Sequence, residues 1–109
     1  MAWLLRDRDV LAAAEIATTR RARRRGLLGQ DDFDGALVLR PCRQVHTFGM
    51  RFPLDVAFCD GDGRVLRTYQ LAAWRISPIV FRARWAVEAR AGAFERWRLR
   101  LGDALEVRE

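Results

Sequence analysis

The sequence predicts a mainly β fold: a compact, single-domain barrel or sandwich-like module with two short helices. Three observations carry this. "PLDVAFCD" and "RVLRTYQL" flank the polar turn "DGDG", a hairpin signature. "VFRARWAVEAR" alternates, with Phe81, Ala83, Trp85 and Val87 facing one way and Arg82, Arg84, Ala86 and Glu88 the other. Short apolar runs recur between turn residues along the chain, with no internal repeat and no linker.

The remaining elements follow in order. "AWLLRDRDVLAAAEIA" reads as two extended segments around a polar break at Arg6 to Asp9. Residues 18–28, "TTRRARRRGLL", carry a helix signature, with Thr18 or Thr19 as cap and Gly29 as the left-handed terminator. Gly26 inside that helix is expected to let the backbone approach a neighbour. "DDFDG" is a turn and "ALVLR" a short buried strand. "AAWRISP" is a loop closed by Pro78. Gly92 opens a second helix over 92–99, "AFERWRL", ended by Gly102, and "DALEVRE" supplies the last strand. Six to eight strands result.

The chain has 109 residues, half of them hydrophobic and 31% charged. That composition fits one globular domain spanning residues 1–109 and excludes a disordered polymer. No apolar run nears the ~20 residues of a membrane helix. "MAWLLRD" is too short for a signal-peptide core, so a cytoplasmic location is expected, although a trimmed secreted chain would look the same. The net charge is +6, and all 20 basic residues are arginine. Lysine and asparagine are absent, which suggests codon choice in a GC-rich bacterial genome more than selection for phosphate binding. The run "RRARRR" with Trp74, Trp85 and Trp97 could contact nucleic acid. "DDFD" follows closely, however, and the tryptophans stand at core-like positions, so a solvated helix face without specific nucleic-acid binding is expected.

Chemistry concentrates in "RPCRQVHTFGMRFPLDVAFCD", residues 40–60, which holds both cysteines and the single histidine. Cys42 and His46 could form a thiolate–imidazolium pair, but on an extended strand their Cα atoms lie ~13 Å apart, so a turn must bring them together. Neither a glycine-rich elbow nor an acid orienting the imidazole is evident. A metal site would use Cys42, His46 and Cys59 with Asp55 or Asp60. Every ligand would then stand alone, without the paired spacing of structural zinc sites, so no metal or other cofactor is expected. Two cysteines make no disulfide framework. Asp55, two residues after Pro53, is placed to accept backbone N–H bonds from a nearby turn. His46, Thr47, Phe48, Met50 and Arg51, with Asp55, offer a few polar groups in an apolar rim, the composition of a small-molecule pocket. A satisfied core histidine beside a turn-locking aspartate is the competing structural reading.

The stretch "VHTFGMRFPLDVAF" followed by an aspartate and "GRV" resembles the signature of the domain of unknown function 192 family. Phe48, Met50, Arg51, Pro53, Leu54, Asp55 and Phe58 fill its aromatic, methionine, basic, Pro-hydrophobic-Asp and apolar-strand positions. Arg25, Gly26 and Leu27 resemble the end of the family's first helix. Glu88, Gly92, Leu99, Gly102 and Asp103 resemble its tail, so the likeness spans nearly the whole chain. Only Arg51 and Phe52 separate the methionine from the proline. Many relatives have a longer segment containing Asn-Thr there, and any role of that pair does not carry over. Many also carry a secretory or lipoprotein leader, which this chain does not show. The resemblance implies a small β-rich fold and no established activity, substrate or cofactor. The expected role is non-catalytic binding of a small molecule or a protein, with a small hydrolase using Cys42/His46 or His46/Asp55 as the alternative.

Overall fold

In the computed structural model, which describes residues 2–27 and 33–109 (Arg24 by its backbone only), the chain folds as a curled sheet of seven strands in the order β5-β4-β6-β3-β2-β1-β7. β1 (Ala2–Arg6) and β2 (Asp9–Ala17) pair antiparallel. The two residues between them, Asp7 and Arg8, both have positive φ, at 52° and 73°. Such a turn matches the right-handed twist of its flanking strands. α1 (Arg20–Arg25) then carries the chain to β3 (Ala36–Leu39), which lies parallel to β2. A parallel neighbour requires a crossover, and α1 lies within it.

β4 (Leu54–Cys59) and β5 (Val65–Leu71) form the expected hairpin. Its turn is locked by Asp60, whose Oδ1 accepts from the amides of Asp62 and Arg64 at 2.9 and 3.0 Å. Gly63 in this turn has φ +86°, and a Cβ there would fall 2.1 Å from the Leu105 carbonyl oxygen. That close approach draws the hairpin onto β7 (Leu105–Arg108): the Leu105 amide donates to Gly63 O at 2.8 Å and Val65 N to Asp103 O at 2.9 Å. The two ends of the sheet therefore meet in part, giving a half-barrel rather than a flat sheet with two open edges.

β6 (Trp85–Arg90) lies between β4 and β3, and α2 (Ala93–Trp97) follows it. The sheet has a core on each face. Leu4, Ala57, Cys59, Val87, Phe94 and Leu105 belong to one, within the curl. Leu27, Leu39, Met50, Leu54, Val56 and Phe58 belong to the other, under α1 and the segment 45–53. β4 is buried at all six positions, because its alternate side chains feed opposite cores.

Five local expectations change. The strand expected from Phe81 begins only at Trp85: Ala83 N bonds back to Val80 O in a turn, and Phe81 is 76% exposed. Alternation beyond it does not mark a polar face, since β6 is buried on both sides and Glu88 with it. Helix α1 ends at Gly26, with φ 49°, not at Gly29, which lies outside the described residues together with Asp31 and Asp32 of the expected "DDFDG" turn. α2 ends at Arg98, in the left-handed region at φ 53°, before Gly102 is reached. Finally, Trp74 is no core residue: it is 63% exposed, whereas Trp85 is buried.

Candidate functional site

Two carboxylates sit in neighbouring central strands, and the sheet separates them. Asp55 on β4 projects on the α2 side, on the same pleat as Ala57 and Cys59. Its Oδ2 accepts from the amides of Gly92 and Phe94 at 2.9 and 3.1 Å, and its Oδ1 from Gln70 Nε2 at 3.3 Å. It thus caps α2 from the neighbouring strand, since Gly92 at the N-cap has no side chain to do so. The turn-binding role expected for Asp55 is what the structure displays.

Glu88 on β6 points to the other face, where its cross-strand neighbours are Leu37 and Val56. It is 3% exposed, and its Oε1 has no hydrogen-bond partner among the described residues. Burial among apolar strands pushes its carboxyl up to about 7. Above it the α1 terminus approaches so closely that a Cβ on Gly26 would lie 2.9 Å from Oε1. The positive φ favours glycine at position 26, and an added Cβ would also displace the end of the Glu88 side chain.

Glu88 forms part of the wall of a cavity of about 340 Å³ between α1 and residues 41–50. That volume lies at the lower end of small-ligand pockets, roughly 300–1,000 Å³. Leu27, Leu39, Val45 and Met50 give it apolar walls, and Arg20, Arg23, Arg25 and Arg43 also line it. α1 is short and starts cleanly because Thr19 Oγ1 accepts from Ala22 N at 3.0 Å. Arg23 is fixed on it, its Nη1 donating to the carbonyls of Thr18 and Arg40. Arg43 is likewise anchored, by Nε to Ala83 O at 3.1 Å.

The residues singled out from sequence divide. His46, Phe48 and Met50 line the cavity, as does Cys42. The His46 and Phe48 rings stack at 5.1 Å, and Trp74 continues the row 6.2 Å from Phe48. His46 Nδ1 accepts from Phe48 N at 3.2 Å, which leaves Nε2 to carry the proton of the neutral ring. Thr47 does not line the cavity. It is fully buried and ties its loop to residues 72–75: its Oγ1 donates to Ala72 O at 2.6 Å and accepts from Arg75 N at 2.8 Å. Arg51 is exposed and outside the lining, and Asp55 lies across the sheet. A His46–Asp55 pair is therefore not assembled. Cys42 and His46 share the cavity, but the Cys42 thiol donates to Gln44 O at 3.3 Å. Burial, partly offset by that backbone bond, pushes the thiol up to about 11, away from a reactive thiolate. Cys59 belongs to the opposite core, pushed up to about 12 by burial, and Asp60 is engaged in its turn. Among the described residues, no three of His, Cys, Asp and Glu converge as a metal-binding group.

Glu88 is the residue that sequence reasoning missed. The signal was an acid set between Val87 and Ala89, which matters only once β6 is known to be covered on both faces.

A curled, partly closed sheet with a helix-covered pocket on its outer face defines a class: small β-rich single domains. Within it, residues 4–107 match the model of the DUF192 family, described as "Uncharacterized ACR". The chain belongs to that family. A crystal structure of a protein of unknown function from Novosphingobium aromaticivorans superposes with a TM-score of 0.82 at 18% identity, over 96% of this chain and 82% of that one. One of a "putative transcription regulator" from Sinorhizobium meliloti gives 0.77 at 22% identity, over 97% of this chain and 91% of that one. At these identities the likeness concerns the fold. No curated protein matches the chain. Among the described residues, no helix is long and apolar enough to cross a membrane.

Proposed function

We propose that this domain is a small-ligand-binding module whose site is the cavity between α1 and residues 41–50. The observation that carries the reading is Glu88 Oε1, a buried oxygen without a partner in the wall of a ligand-sized cavity. Buried polar atoms are nearly always satisfied, and one left open beside a cavity is a place for a hydrogen bond from outside the chain. His46, Phe48 and Met50 contribute from the sequence-derived set, and Glu88 with the α1 arginines completes it. Binding rather than covalent catalysis is favoured by the protonated, carbonyl-bonded state of Cys42. A protein partner docked on an exposed apolar surface, such as that of Phe48, Trp74 and Ile76, leaves Glu88 unanswered.

Amide NMR spectra recorded against a library of small polar fragments test this. Binding should shift the amides of Gly26, Leu27 and residues 42–50 together. Shifts confined to the α2 side, or no shifts with any fragment, would refute the assignment of the site.

A further inference from the structure

We infer that the ligand of this cavity is a zwitterion with an apolar body, of the class of apolar α-amino acids, bound with its ammonium group on Glu88 and its carboxylate towards the α1 arginines. The inference rests on the cavity being the binding site and adds the chemistry of what it takes. Three features of the lining support it.

At the floor, Glu88 is 3% exposed and its Oε1 lacks a donor. A ligand N–H placed there satisfies a buried acceptor and, if cationic, offsets the desolvation that otherwise resists ionisation of this acid. At the mouth, Arg20, Arg25 and Arg43 are exposed on the cavity lining, and half-buried Arg23 is held beside them by its carbonyl bonds. Guanidinium groups gathered this way favour a carboxylate. Leu27, Leu39, Val45 and Met50, buried like Glu88, offer only apolar contact, suited to the side chain.

Simpler ligands fail at one end. A monoanion meets the arginines but leaves Glu88 unpaired and adds a like charge near it. A monocation satisfies Glu88 only after passing the positive mouth. A neutral apolar molecule leaves both ends unanswered. A dipolar molecule with an apolar body satisfies the whole lining, and a volume of about 340 Å³ accommodates one of amino-acid size.

L-leucine, isoamylamine and isocaproate test this directly, since they share one hydrocarbon body and differ only in which charged group they retain. Calorimetric titration of the full chain, above the pH at which Glu88 ionises, should find leucine bound at least about tenfold more tightly than either single-charge analogue. Glu88→Gln should abolish the advantage of leucine over isocaproate, weakening leucine while isocaproate, relieved of the like charge, binds at least as tightly as before. The double variant Arg20→Gln/Arg25→Gln, on the exposed face of α1, should reduce its advantage over isoamylamine, with Arg23 and Arg43 left at the cavity, and keeps the test available if Glu88→Gln does not fold. Leucine binding no tighter than isocaproate would overturn the zwitterion, with Glu88 then met by water alone. If isocaproate or isoamylamine still shifts the amides of residues 42–50, the cavity remains the binding site and only the ligand class falls. If none of the three binds while other fragments do, the ligand class falls in the same way. If nothing shifts those amides, both fall.

Discussion

Asp55 and Glu88 are the same chemistry in two settings, a carboxylate on a central strand with the sheet between them. Asp55 receives three hydrogen bonds, two of them from the amides that open α2. Glu88 has an oxygen that receives none among the described residues, with a cavity beside it. A buried carboxylate with its acceptor sites filled holds a fold together, whereas one left open costs stability. The contrast sets a carboxylate that the fold satisfies on one face against one that it leaves open on the other.

The largest expected effect comes from breaking the satisfied side. Asp55→Ala strands the amides of Gly92 and Phe94 and the Gln70 amide group, at a cost of about 2–4 kcal/mol. For a chain of this length that lowers the melting temperature by roughly 10–20 °C, measurable by calorimetry. A loss as small as a surface substitution, within about 0.5 kcal/mol, would erase the contrast.

On the open side the sign reverses. Glu88 has a folded-state value raised from 4.5 to about 7, so the folded state holds its proton where the unfolded state has released it. Its contribution is complete below pH 4.5, declines as pH rises through that window and is gone above about 7. At ~1.4 kcal/mol per unit the loss reaches up to ~3 kcal/mol. Cys42, His46 and Arg20, Arg23, Arg25 and Arg43 share the cavity, so the wild type must be compared with Glu88→Gln. The difference between their denaturation free energies should change across this window, with the variant the more stable above it. A pH-independent difference would contradict an ionising Glu88.

What was legible in the sequence, on either side, carries local signals. "DGDG" between two apolar runs announces the β4–β5 hairpin, and Pro53 two residues before Asp55 announces a carboxylate at a turn. Thr19 likewise marks the start of α1. The open side was not legible, since it is made by contacts between distant segments. Glu88 is buried only because Leu37, Val56 and Gly26 close over it. Thr47 belongs to the fold rather than the cavity because residues 72–75 reach back to it. Alternation around Phe81 suggested a half-exposed strand, yet a central strand has no solvent face to reveal.

Two smaller effects sharpen the comparison. Gly26→Ala introduces a side chain at φ +49° and against Glu88 Oε1. It should cost about 1–3 kcal/mol in chemical denaturation. His46→Ala removes an exposed ring that lines the cavity, so its stability change should stay within about 0.5 kcal/mol while fragment binding weakens. Destabilisation equal to that of Asp55→Ala would make His46 part of the core network instead.

The separation of the two faces rests on Glu88 being an acid left unpaired by the fold. Carbon-13 NMR titration of its side-chain carboxyl in the ligand-free protein reads this directly. A midpoint near 7 is expected, falling when a cationic group binds beside it. A midpoint at the ordinary 4.5 would mean that Glu88 is solvated or already partnered, and the site would lose its centre.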